Sequence, residues 1–141
     1  MEEITTFDIN IRHMENMKFE VSFDHEDMGT LVTDETPDIG GENAGPTPGR
    51  LLAASTLNCL MASLLFCINK KRVELKSFTG EIRGRVERVD GRWRVTGMDA
   101  VLRPEVEDPE KLQQCLRIFE DYCIVTESVR KGIDVDVRVE L

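Results

Sequence analysis

The chain has 141 residues, 40% of them hydrophobic and 32% charged, with a formal net charge of −9. That size suits one domain, expected over residues 1–141, or one half of an intertwined dimer, and the composition is that of a folded protein. A surface this acidic repels phosphate backbones and acidic lipid, which argues against nucleic acid and membrane as partners.

Met1-Glu2-Glu3-Ile4-Thr5-Thr6 has neither a basic start nor an apolar run, so no secretory leader and a cytoplasmic location are expected. Phe7, Ile9 and Ile11 alternate with polar residues, as do Phe19, Val21 and Phe23. This predicts two strands with a turn at Glu15-Asn16, and residues 28–33 predict a third. Residues 34–47, rich in Gly and Pro towards their end, form a loop long enough for a functional role.

Thr47-Pro48 opens a helix, Thr capping the free amides and Pro fitting the first turn. It runs to about Lys71, where Lys70, Lys71 and Arg72 complement the helix dipole. Residues 51–69 carry no charged side chain. Ser55, Thr56, Asn58 and Ser63 interrupt this run, so it reads as a central core helix rather than a membrane span. Residues 78–89 and 92–103 flank Asp90-Gly91, a hairpin turn signal. Gly80, Gly84 and Gly97 inside those strands mark bulges or the close approach of a neighbour. Asp108-Pro109-Glu110 starts a second helix with Leu112, Cys115, Leu116, Phe119 and Tyr122 or Cys123 on one face. Residues 126–131 predict a short helix stopped by Gly132. Ile133, Val135, Val137, Val139 and Leu141 alternate with polar residues and predict a closing strand with one buried face. The order gives an α+β layout, helices packed on antiparallel sheet.

The four cysteines are Cys59, Cys67, Cys115 and Cys123. The step of eight within each pair matches no zinc pattern and His13 and His25 do not complete one, so no metal is expected. Lasting disulfides are rare in a reducing cytosol, and Cys67 and Cys115 read as reduced core residues. For Cys59 and Cys123, too, position alone favours core filling. A reactive Cys59 would need more, because the thiolate is the nucleophile and an ordinary thiol has a pKa of ~8.5. Burial raises that value, and Cys59 lies too far into its helix for the dipole to help. A cation from elsewhere, most naturally an Arg, has to stabilise it. A pair of thiols changes the reading, since a sulfenic acid formed on one is condensed to a disulfide by a second close to it. Cys123 follows Tyr122 at the end of an amphipathic helix, where a kink would present its sulfur. Ser55 and Ser63 lack a His pattern for hydrolase chemistry, and the Gly40-Gly41 loop lacks a nucleotide-binding ending.

Gly45-Pro46-Thr47-Pro48-Gly49-Arg50-Leu51-Leu52-Ala53-Ala54, then Asn58-Cys59, resembles a G-x-x-P-x-x-L-L-A-A motif ending in Cys. Tyr122-Cys123-Ile124-Val125-Thr126-Glu127-Ser128-Val129 resembles Y-C-P-V-S-x-S-L. Together these resemble the two signatures of the OsmC/Ohr family of thiol peroxidases. The resemblance implies an OsmC-like α+β fold, with antiparallel sheets around a long central apolar helix and an intertwined homodimer carrying two sites at its interface. It implies Cys59 as the peroxidatic thiol and Cys123 as the resolving thiol. It also implies an activating Arg, for which Arg12 and Arg50 are the candidates. The substrate would be an organic hydroperoxide or hydrogen peroxide and the reductant a dithiol, with no metal or cofactor. Two departures stand out. Gly49 occupies a position that is Glu in the peroxidases, and Ile124 replaces the Pro after the second Cys. The chain thus looks closer to the less characterised OsmC-like branch. The alternatives are a non-enzymatic OsmC-like domain binding a small apolar ligand in the dimer cleft, which the missing Glu favours, and a thiol redox sensor.

Overall fold

The computed structural model describes residues 4–141, so the reading of Met1-Glu2-Glu3 lies outside it. The chain divides into two compact units, Met1–Leu51 and Leu52–Leu141.

In the first unit, β1 (Asn10–His13), β2 (Phe19–Ser22) and β3 (Thr30–Thr33) form an antiparallel sheet in the order β1-β2-β3. The first strand is shorter than its alternation predicts, and Phe7 and Ile9 precede it with their side chains exposed. At the β1–β2 turn Asn16 takes a left-handed conformation with φ 51°, which Asn tolerates better than most side chains. Residues 34–47 are held by one carboxylate. Asp34, only 1% exposed, accepts backbone N–H bonds from Glu35 (2.8 Å), Glu42 (3.0 Å) and Ala44 (3.0 Å). A Cβ at Gly41 or Gly45 would strike the backbone of Glu35 or Val32, so only glycine lets the loop lie this close.

The Ala44 amide is the largest influence on Asp34, and with Glu35 and Glu42 it holds the carboxyl below its ordinary value. A lowered folded-state pKa stabilises the fold above the unfolded value of ~3.9, and the gain is lost as pH falls through the lowered value. Asp34→Asn is therefore expected to lower Tm at neutral pH, with the gap to wild type closing in acid. Equal Tm values at neutral pH would contradict this anchor.

The long helix α1 (Pro48–Lys70) crosses the division between the units. Thr47 caps it, accepting from the Arg50 amide at 3.3 Å, and Arg72 ends it in a left-handed conformation with φ 56°. Thr56, Leu60, Leu64 and Ile68 form one buried stripe at a spacing of four. The other apolar sides are less covered, Phe66 being 64% exposed, so one chain buries less of α1 than the sequence leads one to expect. Among the described residues α1 alone is long and apolar enough to cross a membrane by length and composition.

Strands β4 (Leu75–Val89) and β5 (Arg92–Val106) make the expected hairpin, longer at its open end than predicted. Asp90 (φ 52°) and Gly91 (φ 80°) both adopt the left-handed conformation that such a tight turn requires. A Cβ on Gly80 would lie 2.8 Å from the Met61 sulfur and 3.2 Å from Leu57, so glycine here lets the hairpin press onto α1. Pairing steps from Arg85–Gly97 to Val86–Val95, leaving Thr96 as the extra residue of a bulge.

The helix expected from Asp108 is broken into pieces: a 3-10 turn (Pro109–Leu112), α2 (Gln113–Ile118) and a second 3-10 turn (Phe119–Tyr122). None has a side-chain cap. Leu112 and Cys115 are buried as predicted, but Leu116 is 48% and Tyr122 72% exposed, so the predicted face is narrower. Extended backbone at Cys123 then leads into α3 (Ile124–Lys131), two residues earlier than the sequence indicates.

Two further expectations are corrected. Cys67 and Cys115 belong to the core with Leu64, Ile68, Val73 and Leu112, but they are joined in a disulfide with α-carbons 5.8 Å apart. Closing a 48-residue separation removes unfolded-chain entropy worth about 4 kcal/mol. Sequence spacing suggested no pairing because the partners come together only when α2 packs on α1. Residues 133–141 form no strand and Ile133, Val135, Val137 and Val139 are all exposed. Their alternation marks a face suited to a sheet, but a strand also needs a neighbour to complete its hydrogen bonds, and none of the described residues supplies one.

Candidate functional site

The break at Cys123 brings the two signature thiols together. Cys59 sits half-buried on α1, and Cys123 is fully buried as the residue preceding α3. Cys123 neighbours Cys59 closely enough to act on its thiol, and the Cys123 thiol itself donates to the Thr126 hydroxyl at 2.8 Å. The backbone amides of Val125 and Thr126 also act on the Cys59 sulfur.

This arrangement follows from how helices begin. The first amides of a helix lack intrahelical acceptors and carry partial positive charge. Cys123, at the position where a cap would sit, makes no side-chain cap bond. The sulfur of Cys59, from another helix, lies near enough to feel these amides. The sequence reading looked for an activating cation and missed these two amides. They belong to the first turn of α3, which starts at Ile124, straight after Cys123.

Two opposed effects set the acidity of Cys59. Burial is the largest and raises the pKa, and the neighbouring Cys123 thiol raises it further. The Val125 and Thr126 amides lower it, but the balance stays above the ordinary thiol value. None of these influences is a cation. Arg12 lies on β1 in the other unit, where its guanidinium meets Glu20 at 3.3 Å with the side chain 66% exposed. Arg50 bonds Thr47 at 3.2 Å.

Cys59 opens onto a cleft of about 520 Å³ lined by Ala62, Ser63, Phe66, Cys67 and Lys70 of α1 and by Ile118, Phe119, Tyr122 and Ile124. The lining is mainly apolar, and the Lys70 ammonium lies 4.8 Å from the centre of the Phe66 ring. Ile124, where the resemblance leads one to expect Pro, thus contributes an apolar wall. A second cavity of about 490 Å³ is lined by Leu52, Thr56 and Leu60, by the hairpin, and by Thr126 and Arg130. Arg130 is tied to Glu120 at 2.6 Å and Glu127 at 2.7 Å. Among the described residues no group of three or more His, Cys, Asp or Glu could hold a metal ion.

The family model described as OsmC-like protein matches residues 40–138, which contain both thiols and the cleft. No curated protein matches the sequence. Solved structures match over nearly the whole chain. An OsmC-like protein from Mycoplasma pneumoniae has a TM-score of 0.73 at 12% identity, covering 89% of this chain and 88% of its own. An OsmC-like protein of unknown function from Vibrio cholerae has a TM-score of 0.71 at 17% identity, with coverages of 89% and 94%. An organic hydroperoxide resistance protein from Elizabethkingia anophelis has a TM-score of 0.67 at 17% identity, with coverages of 95% and 94%. At these identities the likeness is one of fold.

Because Cys123 raises the pKa of Cys59 through its hydrogen bond and its charge, Cys123→Ala is expected to bring that pKa down. Alkylation of Cys59 by iodoacetamide at neutral pH should then be faster in the variant, and in both proteins the rate should climb as pH rises through the ordinary thiol range. A slower or unchanged rate in the variant would contradict the contact between the two sulfurs.

Proposed function

Since the chain belongs to the OsmC-like protein family, we propose that it is a cysteine-based peroxidase that reduces organic hydroperoxides or hydrogen peroxide. The observation that carries this reading is that Cys123, at the start of α3, neighbours Cys59 closely enough to act on its thiol. The Cys59 thiolate attacks the distal peroxide oxygen. An S–O bond forms, the O–O bond breaks, and the alcohol leaves once its oxygen is protonated. Cys123 then attacks the sulfenic sulfur, forming the disulfide and releasing water. A dithiol reductant restores both thiols and leaves as its own disulfide. The apolar cleft beside Cys59 favours hydroperoxides with a hydrocarbon body.

A thiol pushed above its ordinary pKa is poorly ionised at neutral pH, so the mechanism requires positive charge at the sulfur. We assign that role to Arg12. We further propose that both units act as one OsmC-like domain, in the cytosol, within an intertwined homodimer. The uncovered sides of α1 and the unpaired, alternating residues 133–141 support the dimer, because a second copy would bury the one and complete the sheet of the other.

Peroxide consumption with dithiothreitol as reductant tests the reading. Wild type should consume cumene hydroperoxide, Cys59→Ser should not, and Arg12→Gln should be slower by on the order of a hundredfold, as for loss of one charge-stabilising donor. A second reading, binding of a small apolar ligand without turnover, is favoured by the raised pKa of Cys59 and the apolar cleft. Wild type no faster than Cys59→Ser would select it.

A further inference from the structure

We propose that the Cys67–Cys115 disulfide is a second redox couple that acts as a clamp, setting how readily Cys59 and Cys123 bond to each other; the proposal rests on the two-thiol reading above. The two pairs join the same two stretches of chain. Cys59 and Cys67 lie eight residues apart along α1, and Cys115 and Cys123 lie eight residues apart along the stretch from α2 to α3. Cys59 meets Cys123 while Cys67 is bonded to Cys115, so the stretches run antiparallel and the pairs form two rungs between them.

The rungs are separate couples. Eight residues of helix span ~12 Å, and a disulfide needs α-carbons within ~7 Å. Cys67 therefore does not replace Cys123 as partner of Cys59 without unwinding α1. What the second rung does is hold position. The chain between Cys115 and Cys123 consists of α2 and a 3-10 turn without side-chain caps, and helical pieces this short have little stability of their own. The placement of Cys123 thus depends on tertiary anchors, and the covalent one is Cys115, which is fully buried.

The clamp is also reachable. Cys67 lines the same apolar cleft as Cys59, so a small thiol that enters for one sulfur meets the other. A dithiol reductant opens the rung by attacking the Cys67 sulfur. The S–S bond breaks, Cys115 leaves as thiolate and takes a proton, and the second reductant thiol then displaces Cys67, leaving the reductant as a disulfide. A disulfide oxidant reverses these steps. In the cytosol proposed above, the disulfides that do form are commonly catalytic or sensing, which suits a clamp better than a passive staple.

The test needs only the wild-type protein at first. Equilibrated over graded ratios of reduced to oxidised dithiothreitol, then alkylated and analysed by mass spectrometry, the two pairs should open at different ratios, Cys67–Cys115 last. Cys59–Cys123 bond formation is then timed after addition of oxidised glutathione, and in parallel cumene hydroperoxide, to clamp-closed and fully reduced protein. The fully reduced protein should be slower by roughly tenfold, the cost of losing alignment between reacting groups, while Cys59 alkylation is no slower than in the closed form. The Cys67→Ala/Cys115→Ala variant should behave as the open form. Equal bond-forming rates in the closed and open wild type, or opening of both pairs at one ratio, would overturn the clamp whether or not the variant folds. A clamp effect with oxidised glutathione but no peroxide turnover would uphold the clamp and count against the peroxidase reading alone.

Discussion

The nearness of the Cys59 sulfur to Cys123 and the first amides of α3 is the constraint from which the rest of the site takes its form. It exists because three separate local choices agree. Cys59 lies half-buried on α1, beside the buried stripe of Thr56, Leu60, Leu64 and Ile68. The chain breaks into an extended conformation at Cys123, and α3 restarts at once, leaving amides with no acceptor of their own. Each element alone would leave Cys59 as an ordinary core residue. Together they give a sulfur with a thiol partner on one side and amide donors on another.

Electrostatics then divides the labour between the parts. Burial and the Cys123 thiol keep the Cys59 proton on, and the α3 amides act against them without prevailing. A thiol in that balance is held in reserve rather than switched on. Positive charge arriving at the sulfur would move it towards the thiolate, since an opposite charge within a few ångströms favours the ionised form.

Much of the fold was legible because it depends on local signals. Thr47-Pro48 marked the start of α1, Asp90-Gly91 the hairpin turn, and Gly80 the close approach to α1. The misses share a physical cause. The Cys67–Cys115 bridge joins residues 48 apart, and residues 133–141 have the pattern of a strand but no neighbour within the described chain. Long-range pairing of this kind leaves no periodic trace. The uncapped pieces at 109–122 have the apolar spacing of one helix, and that spacing alone does not reveal where a helix breaks. At the site the two cysteines could be named from motifs, whereas the amides of Val125 and Thr126 could not, because backbone groups carry no sequence signature.

The central claim is that Cys59 and Cys123 are redox partners seated on one another. Non-reducing peptide mapping after one equivalent of cumene hydroperoxide tests it most directly. The account predicts a single new crosslink joining the Cys59 peptide to the Cys123 peptide, with Cys67–Cys115 unchanged beside it. Cys59 linked to Cys67 or Cys115, or oxidised without any crosslink to Cys123, would contradict it.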